Sequence, residues 1–353
     1  MVPLVDLSRR MSRSVGAFSE SMESVLRSGV VLLGPRTEEF EVAFSSFIGA
    51  RGAVAVSSGA SALQLALAAL GVGPGDEVVV PALTAVPTAS AVLAVGATPR
   101  FADVDDSTAT LSVDSVRSLI GPRTKACIAV HLYGRPVEEL RSLVELGIPL
   151  IEDCAQSHGA TEQVVGTVAC YSFYPTKNLG GIGDGGLVAS DDSELIARIK
   201  RLRAHGQVEQ YVHTEISQNH RMSEIEAAWL SHQLPGLPDG NKRRHGILDE
   251  YRRAAPALQW QADHPSHVAH LAVVRVDDRG RFREWMSSRG VATGVHYPLA
   301  LTEQPAYREF TTLACPNAER WSAGCVSVPC FPRSEEHTSE LQSHSDLVCR
   351  LLL

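Results

Sequence analysis

The sequence lacks the long apolar runs and the excess of positive charge that mark several classes of protein. No apolar stretch in the 353 residues approaches the roughly 20 that are needed to cross a bilayer. The first residues, MVPLVDL, show no basic segment followed by an apolar core, so we expect no secretory signal. Lys and Arg total 32 against 40 Asp and Glu, and this net charge of −8 argues against nucleic acid or an anionic membrane as a partner.

Cysteine is present, but not in a pattern that indicates a structural role. The seven cysteines are odd in number and irregularly spaced, and no C-x-x-C pair occurs. This pattern fits neither a disulfide framework nor a zinc site. His264, His267 and His270 lie close together in sequence, but without cysteine or acidic partners at the spacing of metal ligands. We expect reduced thiols, a cytoplasmic protein and no metal centre.

Short apolar segments alternate with helical ones through the first two thirds of the chain. The apolar segments end at Gly, Pro or Asp, and this order predicts an α/β fold with a mostly parallel sheet that is covered on both faces. A Pro/Gly-rich segment at 235–241 predicts a domain boundary. After it, a polar helix to about residue 253, a strand at 268–276, a helix and a strand at 291–296 predict a small α+β domain. The predicted division is a large domain with an N-terminal arm at 1–235, a small domain at 236–332 and a tail at 333–353.

The segment from Ser57 to Ser61 lies between a predicted strand and a predicted helix. A glycine turn at a helix N-terminus offers free N–H groups to a phosphate. A strand-to-helix turn can also carry Gly and Ser for structural reasons alone, and this alternative stays open. G-x-G-x-x-G is absent here and G-x-x-x-x-G-K-[ST] is absent from the chain, so a standard NAD or ATP site is not indicated.

Asp153 follows the apolar end of a predicted strand, within IEDCAQSHGA. The carboxyl ends of parallel strands are where α/β sheets bind ligands. A carboxylate buried there needs a cationic partner, because an unpaired buried charge is unfavourable. The alternative is an ordinary helix N-cap beside a solvated Glu152.

Lys177 lies in an apolar, aromatic and glycine-rich segment, SFYPTKNLGG. Apolar surroundings disfavour the charged amine, so this lysine is a candidate nucleophile that forms a Schiff base with an aldehyde. The alternative is a surface lysine. A phosphate cradle, a carboxylate for a pyridine nitrogen and a lysine for an aldehyde are together what pyridoxal phosphate requires.

With these residues in place, the chain resembles the DegT/DnrJ/StrS family of pyridoxal-phosphate-dependent sugar aminotransferases. The resemblance covers about residues 3–332 and is carried by SSGASALQLALAALGVGPGDEVVVPALT, GATPRFADVD, TKACIAVHLYG, IEDCAQSHGA, SFYPTKNLG, GDGGLV, NHRMSEIEAA and HYP. It implies the aspartate-aminotransferase-like fold type I. It also implies a homodimer in which the two chains share their active sites.

The resemblance implies roles for individual residues as well. Lys177 would bind the cofactor aldehyde and later move a proton, while Asp153, its pKa lowered by a neighbouring cation, would pair with the pyridinium nitrogen. Gln156 would lie against the cofactor ring or its hydroxyl. The residues that would hold the phosphate are Gly59, Ala60, Ser61 and Ser172.

Three further residues are implied around the substrate and the partner chain. Asn219 would reach the phosphate of the partner subunit, and the alternative is that Asn219 and Arg221 form a helix-cap pair ahead of Glu224. His296 and Tyr297 would lie near the sugar, although a buried, hydrogen-bonded histidine is the simpler explanation for His296.

The reaction implied is ping-pong transfer of an amine from an amino acid, typically glutamate, to a nucleotide-linked keto-sugar in amino-sugar biosynthesis. One alternative is a sugar dehydratase of the same family, in which His replaces the lysine. Another is a catalytically silent regulatory protein that binds pyridoxal phosphate. The presence of Lys177 argues against both. The sugar, the nucleotide and amination at C3 or C4 do not follow from the sequence.

Two departures from the family pattern stand out. Ala85 occupies a position where relatives commonly carry an aromatic ring that stacks on the cofactor. The end of the chain, RSEEHTSELQSHSDLVCRLLL, resembles translated sequencing adapter, and we hypothesise that residues from about 334 onward are not native.

Overall fold

The computed structural model describes residues 1–12 and 14–332. Within them the helices are α1 Leu7–Ser12, α2 Val15–Ser28, α3 Pro35–Phe47, α4 Gly59–Ala69, α5 Pro87–Ala94, α6 Val113–Leu119, α7 Leu140–Val144, α8 Ser193–Leu202, α9 Glu224–Gln233, α10 Leu237–Ala254, α11 Arg279–Ser288 and α12 Pro316–Gly324. The strands are β1 Gly52–Val56, β2 Glu77–Pro81, β3 Thr98–Ala102, β4 Thr124–Val130, β5 Leu150–Asp153, β6 Val168–Ser172, β7 Gly186–Ser190, β8 Gln207–Glu209, β9 Val212–His213, β10 Gln259–Trp260, β11 Ala272–Arg275 and β12 Cys325–Val328. The hypothesis about the tail falls on residues outside the described part of the chain.

A seven-stranded sheet forms the centre of the molecule, in the order β1-β7-β6-β5-β4-β2-β3. Only β7 runs antiparallel to its neighbours, β1 and β6, and the other adjacent pairs are parallel. The carboxyl ends of β1, β4, β5 and β6 therefore meet at one edge. The predicted mostly parallel sheet is confirmed.

The sheet is apolar because helices cover both of its faces. Every residue of β2 and β7 is buried. Helix α4, rich in alanine and leucine, buries residues around most of its circumference and packs against α5, β6 and β7. Helix α8 is amphipathic instead, and Asp192 caps its N-terminus by accepting from the N–H groups of Glu194 and Leu195.

A second sheet, β10-β11-β12, is antiparallel and lies wholly after residue 236. A core cluster beside it joins Tyr251, Met286 and Val328 to Val2 at the start of the chain. The division into 1–235 and 236–332 stays a prediction, and the contact of Val2 with this cluster adds the first residues to the neighbourhood of the second sheet.

The prediction of a strand at 291–296 is wrong. Val291 bridges to Val2 and Gly294 bridges to Ser327, so the segment meets two different partners for one residue each and forms no continuous ladder.

The described residues bear on two further expectations. Cys127, Cys154, Cys170, Cys315, Cys325 and Cys330 are all free and buried, as expected for reduced thiols. No described helix combines the length and the apolar character that a bilayer crossing requires.

Candidate active site

The carboxyl edge of the central sheet collects the predicted site residues from four separate segments. Asp153 ends β5, Ser172 ends β6, and the turn that contains Gly59 follows β1. Lys177 lies in the loop after β6, where its N–H donates to the carbonyl of Tyr174 at 2.8 Å. The topology therefore brings together residues that are up to 118 positions apart in the chain.

Lys177 and Asp153 are electrostatically coupled. Burial lowers the pKa of the Lys177 amine to about 8, and the charge of Asp153 opposes this shift. The amine therefore has a neutral, nucleophilic fraction near neutral pH. The alternative of a surface lysine is wrong.

Asp153 is buried and held by neighbours on both of its oxygens. Its Oδ1 accepts from the N–H of Ala155 and its Oδ2 accepts from the hydroxyl of Thr88, each at 3.1 Å. Burial raises the pKa of this carboxyl, and the Ala155 N–H, Lys177 and the Thr88 hydroxyl lower it in part. The predicted lowering of the Asp153 pKa is therefore not found in the chain alone, because the effect of burial outweighs that of these contacts. A further cation beside Asp153 would favour its ionised form.

Glu152 is not solvated, contrary to the alternative set out above. Its side chain is 1% exposed and its Oε2 bonds to Nε2 of His131 at 3.0 Å. Its Oε1 accepts from the N–H groups of Val165 and Gly166 at 2.7 Å. His131 also accepts from the N–H of Val137 at 3.0 Å, so both of its ring nitrogens are engaged within the protein. The pair thus supports the strand that ends in Asp153.

Gln156 connects the segment after β4 to the HYP segment that contains Tyr297. Its Oε1 accepts from the backbone N–H of Tyr133 at 2.6 Å, and its Nε2 donates to the hydroxyl of Tyr297 at 3.1 Å. The hydroxyl of Tyr133 in turn donates to the carbonyl of His296. The structure therefore places Tyr297 beside Gln156.

His296 is partly buried and hydrogen-bonded, with its Nδ1 2.8 Å from Oγ of Ser327. Burial, with Lys177 nearby, lowers its pKa. The same two causes lower the pKa of His158 to about 3 and that of His270 well below its usual range. The imidazoles around Lys177 are therefore neutral at physiological pH.

The N-terminus of α4 and the residues just before it contain three serines and a glycine that has little space. Ser58 caps the helix by accepting from the N–H of Ser61 at 3.1 Å, and the hydroxyls of Ser57 and Ser61 lie 2.9 Å apart. A Cβ on Gly59 would lie 2.5 Å from Cβ of Ser172. Only glycine lets the helix N-terminus approach Ser172 this closely, and Ala60 follows as the second helical residue.

Asn219 is exposed and its side chain is not directed at a helix end. Its Oδ1 accepts from Nε of Arg221 at 2.8 Å. The cap of α9 is Ser223, which accepts from the N–H of Glu226, so the helix-cap alternative for Asn219 and Arg221 is wrong. Glu224 instead accepts from N–H groups at the start of α3, among them that of Thr37 at 2.9 Å. An exposed Asn219 is available to a second chain.

Sequence reasoning missed several residues of this site. Thr88 contacts Asp153, and Tyr133 joins the Gln156 network with a backbone φ of 63°, an uncommon value for a bulky residue. Asn178 accepts from Nδ1 of His270 at 3.1 Å and donates to Oδ1 of Asn241 at 2.9 Å. The sequence did contain a signal for Asn178, because it adjoins Lys177. It contained none for Thr88, because its partner Asp153 lies 65 residues away.

The residues at this edge fit the chemical groups of pyridoxal phosphate. Lys177 is an amine suited to the aldehyde, and Asp153 is a buried carboxylate suited to the ring nitrogen. The close approach of Gly59 to Ser172, which a Cβ would fill, provides N–H and hydroxyl donors for the phosphate. These features favour the phosphate-binding interpretation of the turn over the purely structural one.

Comparison with known proteins agrees with this geometry. The model of the DegT/DnrJ/EryC1/StrS aminotransferase family matches residues 14–341. The chain is 38% identical over 349 residues to dTDP-3-amino-3,4,6-trideoxy-alpha-D-glucose transaminase of Streptomyces venezuelae, across 95% of this chain and 92% of the relative. It is 35% identical over 347 residues to UDP-N-acetyl-3-dehydro-alpha-D-glucosamine 3-aminotransferase of Acidithiobacillus ferrooxidans, across 95% of this chain and 94% of the relative.

The fold is shared with solved structures as well. A crystal structure of S. venezuelae DesV in complex with a ketimine intermediate superposes with a TM-score of 0.93 at 36% identity, across 99% of this chain and 97% of that one. This confirms the expected fold type I of pyridoxal-phosphate enzymes. With the lysine, the carboxylate and the phosphate turn in place at one sheet edge, the chain belongs to the DegT/DnrJ/EryC1/StrS aminotransferase family.

Proposed function

We propose that this enzyme uses pyridoxal phosphate to transfer an amine from glutamate to C3 of a keto-sugar linked to dTDP or UDP. The observation that carries the proposal is the enclosed pair of Lys177 and Asp153 beside the Gly59 turn. The two relatives named above supply the substrate class, since both names place the reaction at C3 of a nucleotide-linked sugar.

When it is bound, pyridoxal phosphate supplies a ring that withdraws electrons from the carbon bearing the amine. Asp153 holds negative charge at the ring nitrogen and so stabilises the protonated form of that nitrogen. The Lys177 amine, when free, would take a proton from one carbon of the substrate and return it to another as general base and acid. Its lowered pKa of about 8 suits both directions near neutral pH.

The remaining residues bind and orient. N–H groups and hydroxyls around Gly59, Ser61 and Ser172 bind the phosphate. Gln156 donates to Tyr297, and this contact would fix the HYP segment where it can help to hold the cofactor and the sugar. This arrangement keeps the reacting carbon within reach of the Lys177 amine.

The test begins with the visible absorption of the purified protein. A band near roughly 420 nm, the range of a lysine-linked pyridoxal cofactor, should vanish in Lys177→Ala and persist in Lys125→Ala, which alters an exposed lysine. Glutamate should then bleach the band of the wild type. A panel of dTDP- and UDP-linked sugars with a 3-keto or 4-keto group should restore it only for a 3-keto member.

Each stage of this test has an outcome that contradicts the proposal. Bleaching without transfer to any sugar would contradict a keto-sugar as the acceptor, and no bleaching by glutamate would indicate the silent regulatory protein instead. Restoration by 4-keto sugars alone would contradict the assignment to C3.

We further propose a homodimer in which Asn219 of each chain reaches the site of its partner. Apolar side chains are exposed on segments close to Asn219 and Lys177, with exposed fractions of 104% for Ile216, 85% for Tyr211 and 52% for Tyr174. Ile216→Asp should shift the mass in sedimentation from dimer to monomer, whereas Val144→Asp, at another exposed apolar position, should not. A wild-type chain that sediments as a monomer at all concentrations would contradict this proposal.

The cytoplasm is the proposed location. The six cysteines in the described part of the chain are buried and unpaired, and such thiols suit a reducing compartment.

A further inference from the structure

The loop that carries Lys177, defined here as the lysine loop of residues 174–181, is contacted by a side chain from the start of the chain. Arg10 lies on α1, and its Nη1 donates to the carbonyl of Lys177 itself at 3.0 Å. Its Nη2 donates to the carbonyl of Pro175. The two contacts bridge 167 and 165 residues of sequence and engage backbone on both sides of Thr176.

The guanidinium is enclosed rather than spread on the surface. Gly180 packs so closely on Nη2 of Arg10 that a Cβ there would have no room. Nε of Arg10 is buried and has no hydrogen-bond partner among the described residues. Burial, with Arg244 nearby, lowers the pKa of Arg10 to about 10, which still leaves it charged at neutral pH. A buried cation is unfavourable unless its contacts are good.

Both of the hydrogen bonds that the structure gives to the Arg10 guanidinium go to backbone carbonyls of the lysine loop. Arginine suits this arrangement because its planar fork meets two acceptors at once with little loss of rotamer freedom, which a lysine cannot do. The two hydrogen bonds from Arg10 therefore restrain the backbone conformation of the lysine loop.

The same loop is also held by α9. Nε1 of Trp229 donates to the carbonyl of Gly180 at 2.9 Å. The lysine loop is thus held by side chains from two helices, and of these two contacts the one from Arg10 falls on the backbone of Lys177 itself. Release of this contact frees the backbone from which the long lysine side chain extends, and small displacements of a reacting group are costly to rate.

We propose that Arg10 is a positioning residue that orients Lys177 through its backbone carbonyl. The inference rests on the proposed function for its kinetic consequence, but not for its structural one. Arg10 donates to loop carbonyls and is not one of the residues assigned to the phosphate or the sugar, so we expect its effect on the rate of the proton-transfer steps rather than on the binding of the amino acid.

The test compares Arg10→Met, Arg10→Lys and the control Arg243→Met. Arg243 is exposed, lines the same cavity of about 410 Å³ as Arg10 and loses the same charge. In the cofactor-free protein, backbone amides at 176–181 should exchange hydrogen at least about tenfold faster in Arg10→Met than in the wild type, with protection elsewhere unchanged. Arg10→Lys should recover part of that protection, and Arg243→Met should match the wild type.

The kinetic experiment measures single turnovers with glutamate, and the loss of the visible band monitors the reaction. Arg10→Met should lower the maximal rate about 10- to 100-fold and leave the half-saturating glutamate concentration within about twofold of the wild type. An Arg10→Met protein with wild-type exchange in the loop and a wild-type maximal rate would overturn the proposal. So would a loss of protection spread over the whole molecule that Arg10→Lys does not reverse, because that result shows a general structural role.

The two arms separate this proposal from the proposed function. If the wild type reacts with no amino acid, the proposed function fails while the exchange experiment still decides whether Arg10 orders the lysine loop.

Discussion

Asp153 is held by hydrogen bonds as well as by a neighbouring charge. The effect of its shape can therefore be separated from the effect of its charge. Thr88 and the N–H of Ala155 fix its two oxygens, while Lys177 supplies the nearby positive charge. A substitution that keeps the shape of the side chain and removes its charge therefore isolates the electrostatic contribution.

Asp153→Asn is that substitution. It should keep the cofactor attached to Lys177 but lower the rate of transamination on the order of 10²–10³-fold, because charge stabilisation at the ring nitrogen is lost. Stopped-flow absorption with glutamate measures the rate. Asp114→Asn, which breaks only an exposed ion pair with Arg117, should leave it unchanged. An Asp153→Asn enzyme within threefold of the wild-type rate, roughly 0.7 kcal/mol, would contradict the role of this charge.

At the scale of elements, the site depends on how closely β6 and the N-terminus of α4 approach each other. Gly59→Ala places a Cβ 2.5 Å from Cβ of Ser172, so the helix or the strand must move. We expect the affinity for pyridoxal phosphate to fall about 10- to 100-fold, since the phosphate donors are displaced. Equilibrium titration of the cofactor-free protein measures this.

Gly121→Ala is the matched control for that substitution. Nothing lies within 4 Å of a Cβ at position 121, so affinity and fold should be retained. If Gly59→Ala binds the cofactor as tightly as Gly121→Ala does, the phosphate is held elsewhere.

Helix α9 and the glycine-rich turn before β7 share a carboxyl with an unusual pKa. Burial, with Asp184 nearby, raises the pKa of Glu226 to about 7, although its Oε2 accepts from the N–H of Gly183 at 3.1 Å. Between pH 4.5 and pH 7 the folded chain holds this proton and the unfolded chain does not. The stability that the proton supports is thus present at low pH and is lost as the pH rises through 7.

Glu226→Gln removes this dependence and keeps an acceptor for Gly183. The variant should match the wild type in urea unfolding at pH 5 and exceed it at pH 8 by on the order of 2 kcal/mol. Glu20→Gln, at an exposed position on α2, should change the free energy of unfolding equally little at both values. A Glu226→Gln variant that is less stable than the wild type at pH 8 would show that the ionised carboxylate is the stabilising form.

For the molecule as a whole, buried neutral histidines predict sensitivity to acid. Burial lowers the pKa of His267 to about 3, as it does for His158. The unfolded chain binds these protons below about pH 6.5 and the folded chain does not, so stability falls as the pH drops from 6.5 towards 3.

The pH slope of stability tests this effect. Between pH 6 and pH 5 each such histidine contributes up to about 1.4 kcal/mol per pH unit to the slope of unfolding free energy. His267→Gln should make the slope shallower, and His213→Gln, at an exposed position, should leave it unchanged. An identical slope in His267→Gln and the wild type would show that His267 is protonated in the folded chain.

The sequence was sufficient for the features that depend on local pattern. The strands of the central sheet are short buried runs that end at turn residues, and Lys177 and Asp153 lie in segments whose composition departs from that of a surface. Contacts between distant segments could not be predicted in this way. Thr88 reaches Asp153, Gln156 reaches Tyr297 across 141 residues, and Arg10 reaches Lys177. Only the folded topology shows these neighbours.

The pairing of Val2 with Val291 has a practical consequence for handling the protein. It anchors the first residues beside the second sheet, and α1 follows five positions later with Arg10 against the lysine loop. Bulk attached ahead of Met1 would therefore act close to the anchored Val2 and, a few residues on, to the helix that carries Arg10. An affinity tag placed at that end would perturb the chemistry before it perturbed the core.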